Sequence, residues 1–264
     1  MKQAAGLFRA IPVAAFLLVS SHGALGAQDS PESEDGFLFE RPRVSLGVRG
    51  GMFLHRADGD LYDFTTERFT LDRSDYRGVS VGLEVGAWIG NRAELSLSLD
   101  GSRVTLDSQY RDWDEEVDGP GGETTRIPIL QTTRLRHGPA ISAGIRWYLW
   151  DRGDQLGRFI WVPREWNAYL GAGAGLMAYN LRLEGDFVDE VSETISTQRF
   201  DSKGNTAFPY VAAGFEYGLM PRLALAVEGR YQWGSHDLGA DFDDFVNPLD
   251  LAGGRFSFGI QYRL

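Results

Sequence analysis

The chain ends in Arg255-Phe256-Ser257-Phe258-Gly259-Ile260-Gln261-Tyr262-Arg263-Leu264, a stretch in which polar and apolar side chains alternate without a break. The even-numbered residues are aromatic or aliphatic, and the odd-numbered residues are arginine, serine, glycine or glutamine. A period of two places successive side chains on opposite faces of a β-strand. The stretch therefore predicts a strand whose two faces meet different environments.

Seven earlier segments of the 264-residue chain alternate in the same way, with one apolar face and one face of small, polar and charged residues. The eight segments are residues 44–52, 79–87, 94–100, 141–149, 169–176, 210–217, 223–233 and 255–264. We expect strands of about 10–14 residues, because ten residues tilted by about 45° rise about 24 Å, the height of the apolar band of a membrane barrel. Soluble strands are usually only about 5–6 residues long.

The glycines indicate which face points inward. Gly171, Gly173 and Gly175 share one face of the fifth segment. On the outside of a soluble barrel of the lipocalin type these glycines would only weaken the strand. In a narrow lumen, small residues make room for side chains from the opposite wall. The pattern therefore favours an apolar face turned to lipid and a polar face turned to the lumen.

The connections between the segments alternate in length. Short turns are expected near 90–92 and 218–222, whereas residues 56–77, 107–133, 182–205 and 234–253 form long loops. Short turns at one end and long loops at the other are typical of transmembrane barrels, with the short turns in the periplasm. The sequence thus predicts an all-β, eight-stranded antiparallel up-and-down transmembrane β-barrel.

Some connections carry a signal of their own. Residues 62–71 and 191–200 continue to alternate, so we expect these hairpins to extend beyond the membrane. Residues 151–165 are too long for a periplasmic turn. We expect an interfacial segment there, with Trp161 and Trp166 at the membrane edge.

The N-terminus has the features of an export signal. Residues 1–27 combine Lys2 and Arg9 with a short apolar run and small residues before the expected cleavage site, which is typical of a signal peptide. Residues 28–42 are polar and are interpreted as a flexible leader, and residues 43–264 as the barrel domain. No later segment has the 18 or so consecutive apolar residues of a membrane helix.

Composition excludes several classes of function. The formal net charge is −11, from 26 Lys+Arg and 37 Asp+Glu, which argues against nucleic-acid binding. The absence of cysteine excludes disulfides, thiolate metal sites and cysteine nucleophiles. The four long loops together hold 24 acidic and 9 basic residues. We expect no cofactor.

Charged residues on the polar faces of the segments are the candidate functional residues. The predicted lumen charges are Arg49, Glu84, Glu94, Asp100, Arg146, Glu216, Glu228 and Arg230. Isolated charges in a narrow lumen are costly, so we expect them to pair and to fill the barrel. The alternative is a narrow gated pore, in which exchange of ion pairs opens a path for small solutes.

Three histidines lie near the outer ends of the segments. His55, His137 and His236 raise a second alternative, a lipid A-modifying enzyme, and Ser235-His236-Asp237 contains the residue types of a hydrolase. Adjacent residues rarely converge into a catalytic triad, so we expect no enzyme activity. His137 falls on the lipid-facing parity of its segment.

The last long loop is acidic. Asp241, Asp243, Asp244 and Asp250 do not have the spacing of a calcium loop, so no metal site is predicted. We expect the acidic loops instead to share divalent cations with lipopolysaccharide phosphates.

The C-terminus resembles the assembly signal of bacterial outer-membrane proteins through Ser257, Gly259, Tyr262 and Leu264, although leucine replaces the usual final phenylalanine. With eight strands, the chain resembles the small outer-membrane barrel superfamily that includes the OmpA transmembrane domain, OmpX and OmpW. The resemblance implies export to the outer membrane and insertion by the assembly machinery. It also implies contacts with outer-membrane lipids and lipopolysaccharide, extracellular ligands at the loops, a monomeric state, and a structural or surface-interaction role.

Overall fold

The computed structural model describes residues 36–118, 123–189, 192 and 194–264. The predicted signal peptide, residues 1–27, lies outside the described residues. Of the predicted leader, the structure describes residues 36–42, in which Leu38 is buried and forms a β-bridge with Trp161.

Eight strands close into an antiparallel barrel, which confirms the predicted fold class. The strands in chain order are β1 (Val44–His55), β2 (Arg77–Ile89), β3 (Ala93–Asp118), β4 (Thr124–Tyr148), β5 (Gly153–Leu156), β6 (Ile160–Pro163), β7 (Trp166–Asp189), β8 (Thr194–Met220), β9 (Leu223–Gln232), β10 (Ser235–His236), β11 (Leu249–Asp250) and β12 (Gly253–Arg263). The barrel runs in the order β1-β2-β3-β4-β7-β8-β9-β12 and closes between β12 and β1. No helix among the described residues has the length and hydropathy needed to cross a bilayer.

Four strands are much longer than the sequence predicts. β3, β4, β7 and β8 contain 26, 25, 24 and 27 residues, respectively. Much of the predicted loops 107–133 and 182–205 is therefore strand. The expected continuation of the hairpin through 191–200 is confirmed from Thr194 onward.

The expectation that residues 62–71 form a strand is wrong, because most of this segment lies in helix α1 (Asp60–Arg68). Leu61, Tyr62 and Thr65 are buried, and their spacing places them on one side of the helix. The Tyr62 hydroxyl donates a hydrogen bond to the Asp250 carbonyl oxygen over 2.8 Å, so the helix is joined to the β11 segment.

The two faces of β3 exchange their polarity part-way along the strand. At its start Leu97 and Leu99 point outward, 54% and 45% exposed, while Ser98 is buried inside. Further along, Arg103 points outward and Val104 is buried inside. The side-chain parity is unchanged, so the environment of each face must differ between the two ends.

We call the end of the barrel with short turns the membrane segment and the end beyond it the outer segment. Side chains of the outer segment and of α1 form one apolar cluster, the outer core. The outer core contains Ala57, Leu61, Tyr62, Phe69, Leu71, Tyr76, Val104, Tyr110, Ile129, Leu135, Ala140, Met177, Tyr179, Leu181, Leu183, Phe187, Phe208, Tyr210, Ala212, Phe242, Leu249 and Leu251. Its interior is thus packed like that of a soluble protein.

The expected lipid-facing position of His137 is wrong, because its side chain is 3% exposed and lies inside the barrel. The register between β3 and β4 shifts at Gly138-Pro139, where Ser102 opposes His137 and Asp100 opposes Ala140. This bulge reverses the parity of β4. The His137 ring packs against Phe53 and His55, with centroids 5.1 and 4.5 Å away.

Residues 151–165, expected to be an interfacial segment, contain the β5–β6 hairpin at the short-turn end. Trp166 is 43% exposed and packs against Trp150, as a residue at the membrane edge would. The same expectation is wrong for Trp161, which is 2% exposed and packs against Trp88, with ring centroids 5.7 Å apart. The hairpin therefore covers the end of the barrel.

Candidate functional site: the charged lumen

The structure places all eight predicted lumen charges inside the barrel and joins them in one set of ion pairs, the lumen network. Each of these side chains is at most 9% exposed. The charges come from β1, β2, β3, β4, β8 and β9, where the period of two turns each of them to the lumen.

Two arginines occupy the centre of the lumen network. The Arg49 guanidinium contacts Asp100 and Glu84 at 2.9 Å and Glu228 at 3.0 Å. Arg146 contacts Glu228 at 2.6 Å and also pairs with Glu84. Glu84 and Glu228 each bridge both arginines, so no central charge belongs to a single pair.

The outer side of the network is centred on Asp100. Its carboxylate pairs with Arg255 at 2.9 Å and with Arg230 at 3.6 Å. The Ser98 hydroxyl donates to the same carboxylate over 3.1 Å. Arg230 also reaches Glu228 at 3.1 Å, which connects this layer to the centre.

The periplasmic side of the network is built around Glu94 and Glu216. Arg152, which precedes the β5–β6 hairpin, pairs with Glu94 and lies 3.6 Å from Glu216. The Arg152 guanidinium also stacks on the rings of Trp88 and Tyr148, 3.5 and 4.1 Å from their centroids. Ion pairing and cation–π contact together hold this arginine across the end of the lumen.

Sequence reasoning missed three arginines of the network. Arg255 and Arg263 lie on the polar face of the C-terminal stretch, so the alternation could have predicted their position in the lumen. Arg263 pairs with Glu216 at 3.1 Å. Arg152 lies outside every alternating segment and carries no such signal. With these three, six arginines face five carboxylates. Because burying a charge carries a large desolvation penalty, these groups must pair with one another to remain inside the barrel.

Little empty space remains in the lumen network. The cavity lined by residues such as Arg49, Arg146 and Glu228 has a volume of about 30 Å³. That is room for about two water molecules. The arrangement can hold a fixed set of charges with little room for water between them.

Glycines make this density possible at the height of Tyr210. A methyl group at Gly144 would overlap the Tyr210 hydroxyl, and one at Gly173 would overlap the Ala143 carbonyl oxygen. The predicted use of glycine for a narrow lumen therefore agrees with the packing.

Ser235, His236 and Asp237 do not form a catalytic relay. The Nδ1 atom of His236 lies 3.1 Å from the Tyr179 hydroxyl and 2.7 Å from the Asp237 backbone carbonyl oxygen. A triad requires this nitrogen to face a carboxylate. The Ser235 carbonyl oxygen accepts a hydrogen bond from Thr206 over 2.8 Å.

Two acidic residues of the last long loop, Asp241 and Asp250, make structural contacts. Asp250 accepts hydrogen bonds from Arg56 over 3.0 and 3.1 Å, and these bonds raise the pKa of the Arg56 guanidinium. Asp241 accepts a hydrogen bond from the Asp201 amide over 3.0 Å. Across the residues that the structure describes, no group of three or more metal-binding side chains converges.

These features together define the architecture. The chain has the fold of the small eight-stranded outer-membrane barrels. No family model and no curated protein sequence matches it. Among solved structures, it is similar to Neisserial surface protein A, with 15% identity over 87% of this chain and 97% of that one, at a TM-score of 0.39.

Two further similar structures are described as outer-membrane proteins, the location that the sequence predicts for this chain. A major outer membrane protein from Thermus thermophilus has 13% identity over 85% of this chain and 100% of that one, at a TM-score of 0.39. The outer membrane protease OmpT from Escherichia coli has 11% identity over 84% of this chain and 94% of that one, at a TM-score of 0.37. Scores this low transfer no residue role to the present chain, whose architecture rests on its own strand register.

Proposed function

We propose that this chain is an integral outer-membrane protein with a structural and surface-interaction role and a lumen that does not conduct. The observation that carries the proposal is the filling of the barrel by side chains at three successive heights. The β5–β6 hairpin with Arg152 and Trp161 covers the periplasmic end, the lumen network fills the middle, and the outer core fills the far end.

The connectivity of the lumen network argues against the narrow gated pore. A path past Arg146 requires its contacts with Glu84, Glu94 and Glu228 to be broken together. Breaking even one buried pair by removing a partner costs about 3–5 kcal/mol. A second barrier, the outer core, would still lie in the path of a solute.

The outer segment supports the surface-interaction role. β3 continues from Arg103 to Asp118, which is about 50 Å of strand at about 3.3 Å per residue. β7 and β8 remain paired as far as Asp189 and Thr194. The barrel thus presents a tall, folded and mostly acidic structure beyond the bilayer, where extracellular ligands would meet it.

Planar-bilayer recording tests the closed lumen. Mature protein whose heat-modifiable gel mobility shows that the barrel is folded is added to a planar bilayer. A known porin is added afterwards as the positive control for conductance steps. We expect no steps from this protein before the porin is added. Reproducible unit steps from the folded protein would contradict the proposal and favour the gated pore.

We further propose that β12 presents the signal read by the outer-membrane assembly machinery. Ser257, Gly259 and Tyr262 lie on this strand, and Leu264 follows it. If leucine is a weak final residue, Leu264→Phe should raise the folded fraction in the outer membrane and Tyr262→Ala should lower it. Equal folded fractions for both variants and the unaltered chain would contradict this role.

A further inference from the structure

A row of basic side chains crosses four neighbouring strands on the outside of the barrel. Arg103 on β3 is paired in register with Arg136 on β4, Arg136 with Asn180 on β7, and Asn180 with Lys203 on β8. All four point away from the interior, and the three cations are exposed. We call Arg103, Arg136, Asn180 and Lys203 the basic row.

The basic row lies just above the lipid-facing surface. Leu99, Ile141 and Leu176 are paired in register below it and are 45%, 56% and 66% exposed. Arg103 lies four positions beyond Leu99 on β3, which corresponds to a rise of about 9 Å for a strand tilted by about 45°. The headgroup layer adds about 5–7 Å on each side of the apolar band, and the long side chain of Arg103 can reach it from this position.

Among the described residues the cations of the basic row have no carboxylate partner, unlike the cations of the next row. One step further out, Arg134 pairs with Glu184, and Arg182 lies 2.8 Å from Asp201. Within the described parts of the chain, none of Arg103, Arg136 and Lys203 takes part in an ion pair. Their charge is therefore available to an external anion.

The position of these cations is unusual for a chain of this composition. The long loops hold 24 acidic and 9 basic residues, and Lys203 is one of only two lysines in the sequence. An acidic outer segment repels anions in general. Across strands tilted by about 45° a register row rises about 3 Å per strand, so Arg103 lies nearest the apolar surface and Lys203 lies about 10 Å further out. Unpaired cations that begin at headgroup height on one side of the barrel match an anion held in the membrane surface rather than one arriving from solution.

We propose that the basic row binds the sugar phosphates of a phosphorylated glycolipid of the outer leaflet, of the lipid A class. Arg103 and Arg136 donate forked hydrogen bonds to phosphate oxygens, Lys203 adds a point charge, and the acyl chains lie on the aliphatic surface below. This inference rests on the proposed membrane placement. It is separate from the expectation that the acidic loops share divalent cations with lipopolysaccharide phosphates.

A pair of matched variants tests the proposal. Arg103→Gln/Arg136→Gln removes two cations of the basic row. Arg126→Gln/Arg199→Gln removes the same charge from the outer parts of β4 and β8, where both arginines pair with carboxylates. Binding of bisphosphorylated lipid A, monophosphorylated lipid A and phosphatidylcholine is measured by native mass spectrometry on heat-modifiable, folded protein in detergent.

We expect the unaltered chain and the Arg126/Arg199 variant to bind bisphosphorylated lipid A with equal affinity. The affinity of the Arg103/Arg136 variant should be lower by a factor of about ten or more. Monophosphorylated lipid A should bind with intermediate affinity and phosphatidylcholine weakly. Millimolar inorganic phosphate should not compete, which distinguishes the lipid from free phosphate.

Three results would overturn the proposal. These are no preference of the unaltered chain for lipid A, an undiminished affinity of the Arg103/Arg136 variant, or equal losses in both variants. None of them bears on the closed lumen, because bilayer recording tests that proposal separately.

Discussion

The membrane segment and the outer segment of this barrel are built from the same strands but have opposite polarity. In the membrane segment the aliphatic side chains point outward and the lumen network lies inside. In the outer segment the outer core lies inside and polar residues such as Thr105 point outward. Because β3 passes through both regions with one unbroken parity, the surrounding medium, lipid or water, determines which face is apolar.

The interiors of the two regions are stabilised by different interactions. In the membrane segment, bridging carboxylates such as Glu228 hold arginines that would otherwise be buried without partners. In the outer segment, burial of apolar surface stabilises the fold as in any soluble core. Substitutions in the membrane segment should therefore act through lost ion pairs, and substitutions in the outer segment through lost burial of apolar surface.

The largest effect is expected in the lumen network. Glu228→Gln removes a carboxylate that contacts Arg49, Arg146 and Arg230, and should lower the free energy of unfolding by about 3–5 kcal/mol. A denaturant titration, followed by the heat-modifiable gel band, measures this free energy. The control Glu116→Gln breaks an exposed pair and should cost at most about 1 kcal/mol. Equal losses would contradict a continuous buried network.

A comparable or slightly smaller effect is expected in the outer core. Leu135 is 1% exposed, so Leu135→Ala should cost about 2–5 kcal/mol through lost apolar contact and the cavity that remains. Leu130 lies on the same strand but is 61% exposed, and Leu130→Ala should change stability by less than about 0.5 kcal/mol. If the two variants were equally stable, the outer segment would have no packed core.

The membrane segment could be predicted from the sequence because lipid outside and charge inside produce a regular alternation over short, separate runs. The outer parts of β3, β4 and β7 could not, since their inverted polarity breaks the apolar-outside pattern at residues such as Arg103. The outer part of β8 was predicted in part, because residues 191–200 continue to alternate. The bulge at Gly138-Pro139 adds a residue that no periodicity reveals, and it reverses the predicted orientation of His137. Arg152 was missed because it lies in a connection between strands.

The smallest expected effect is a pH dependence of stability that arises in the outer segment alone. Burial raises the pKa of the Tyr76 hydroxyl to about 12. The folded protein therefore keeps this proton where the unfolded chain loses it, so stability falls as the pH rises from about 10 to 12. The loss from Tyr76 alone should be about 1.4 kcal/mol at pH 11.

Unfolding titrations at pH 8 and pH 11 measure this dependence. The variant Tyr76→Phe loses a hydrogen bond with Thr65 and should be less stable at pH 8, but its further loss at pH 11 should be smaller by about the same 1.4 kcal/mol. The same pH dependence in both proteins would show that Tyr76 is not buried in the outer core.

A spin-label scan along the outward face of β3 tests the exchange of polarity most directly. The chain contains no cysteine, so single cysteines can be introduced at Leu95, Leu97, Leu99, Arg103, Thr105, Asp107 and Gln109 without removing any other. Collision with oxygen, which partitions into lipid, is compared with collision with a water-soluble nickel complex in a reconstituted bilayer. The account predicts lipid-like accessibility from Leu95 to Leu99 and water-like accessibility from Arg103 onward. A uniform accessibility along the whole face, of either kind, would contradict it.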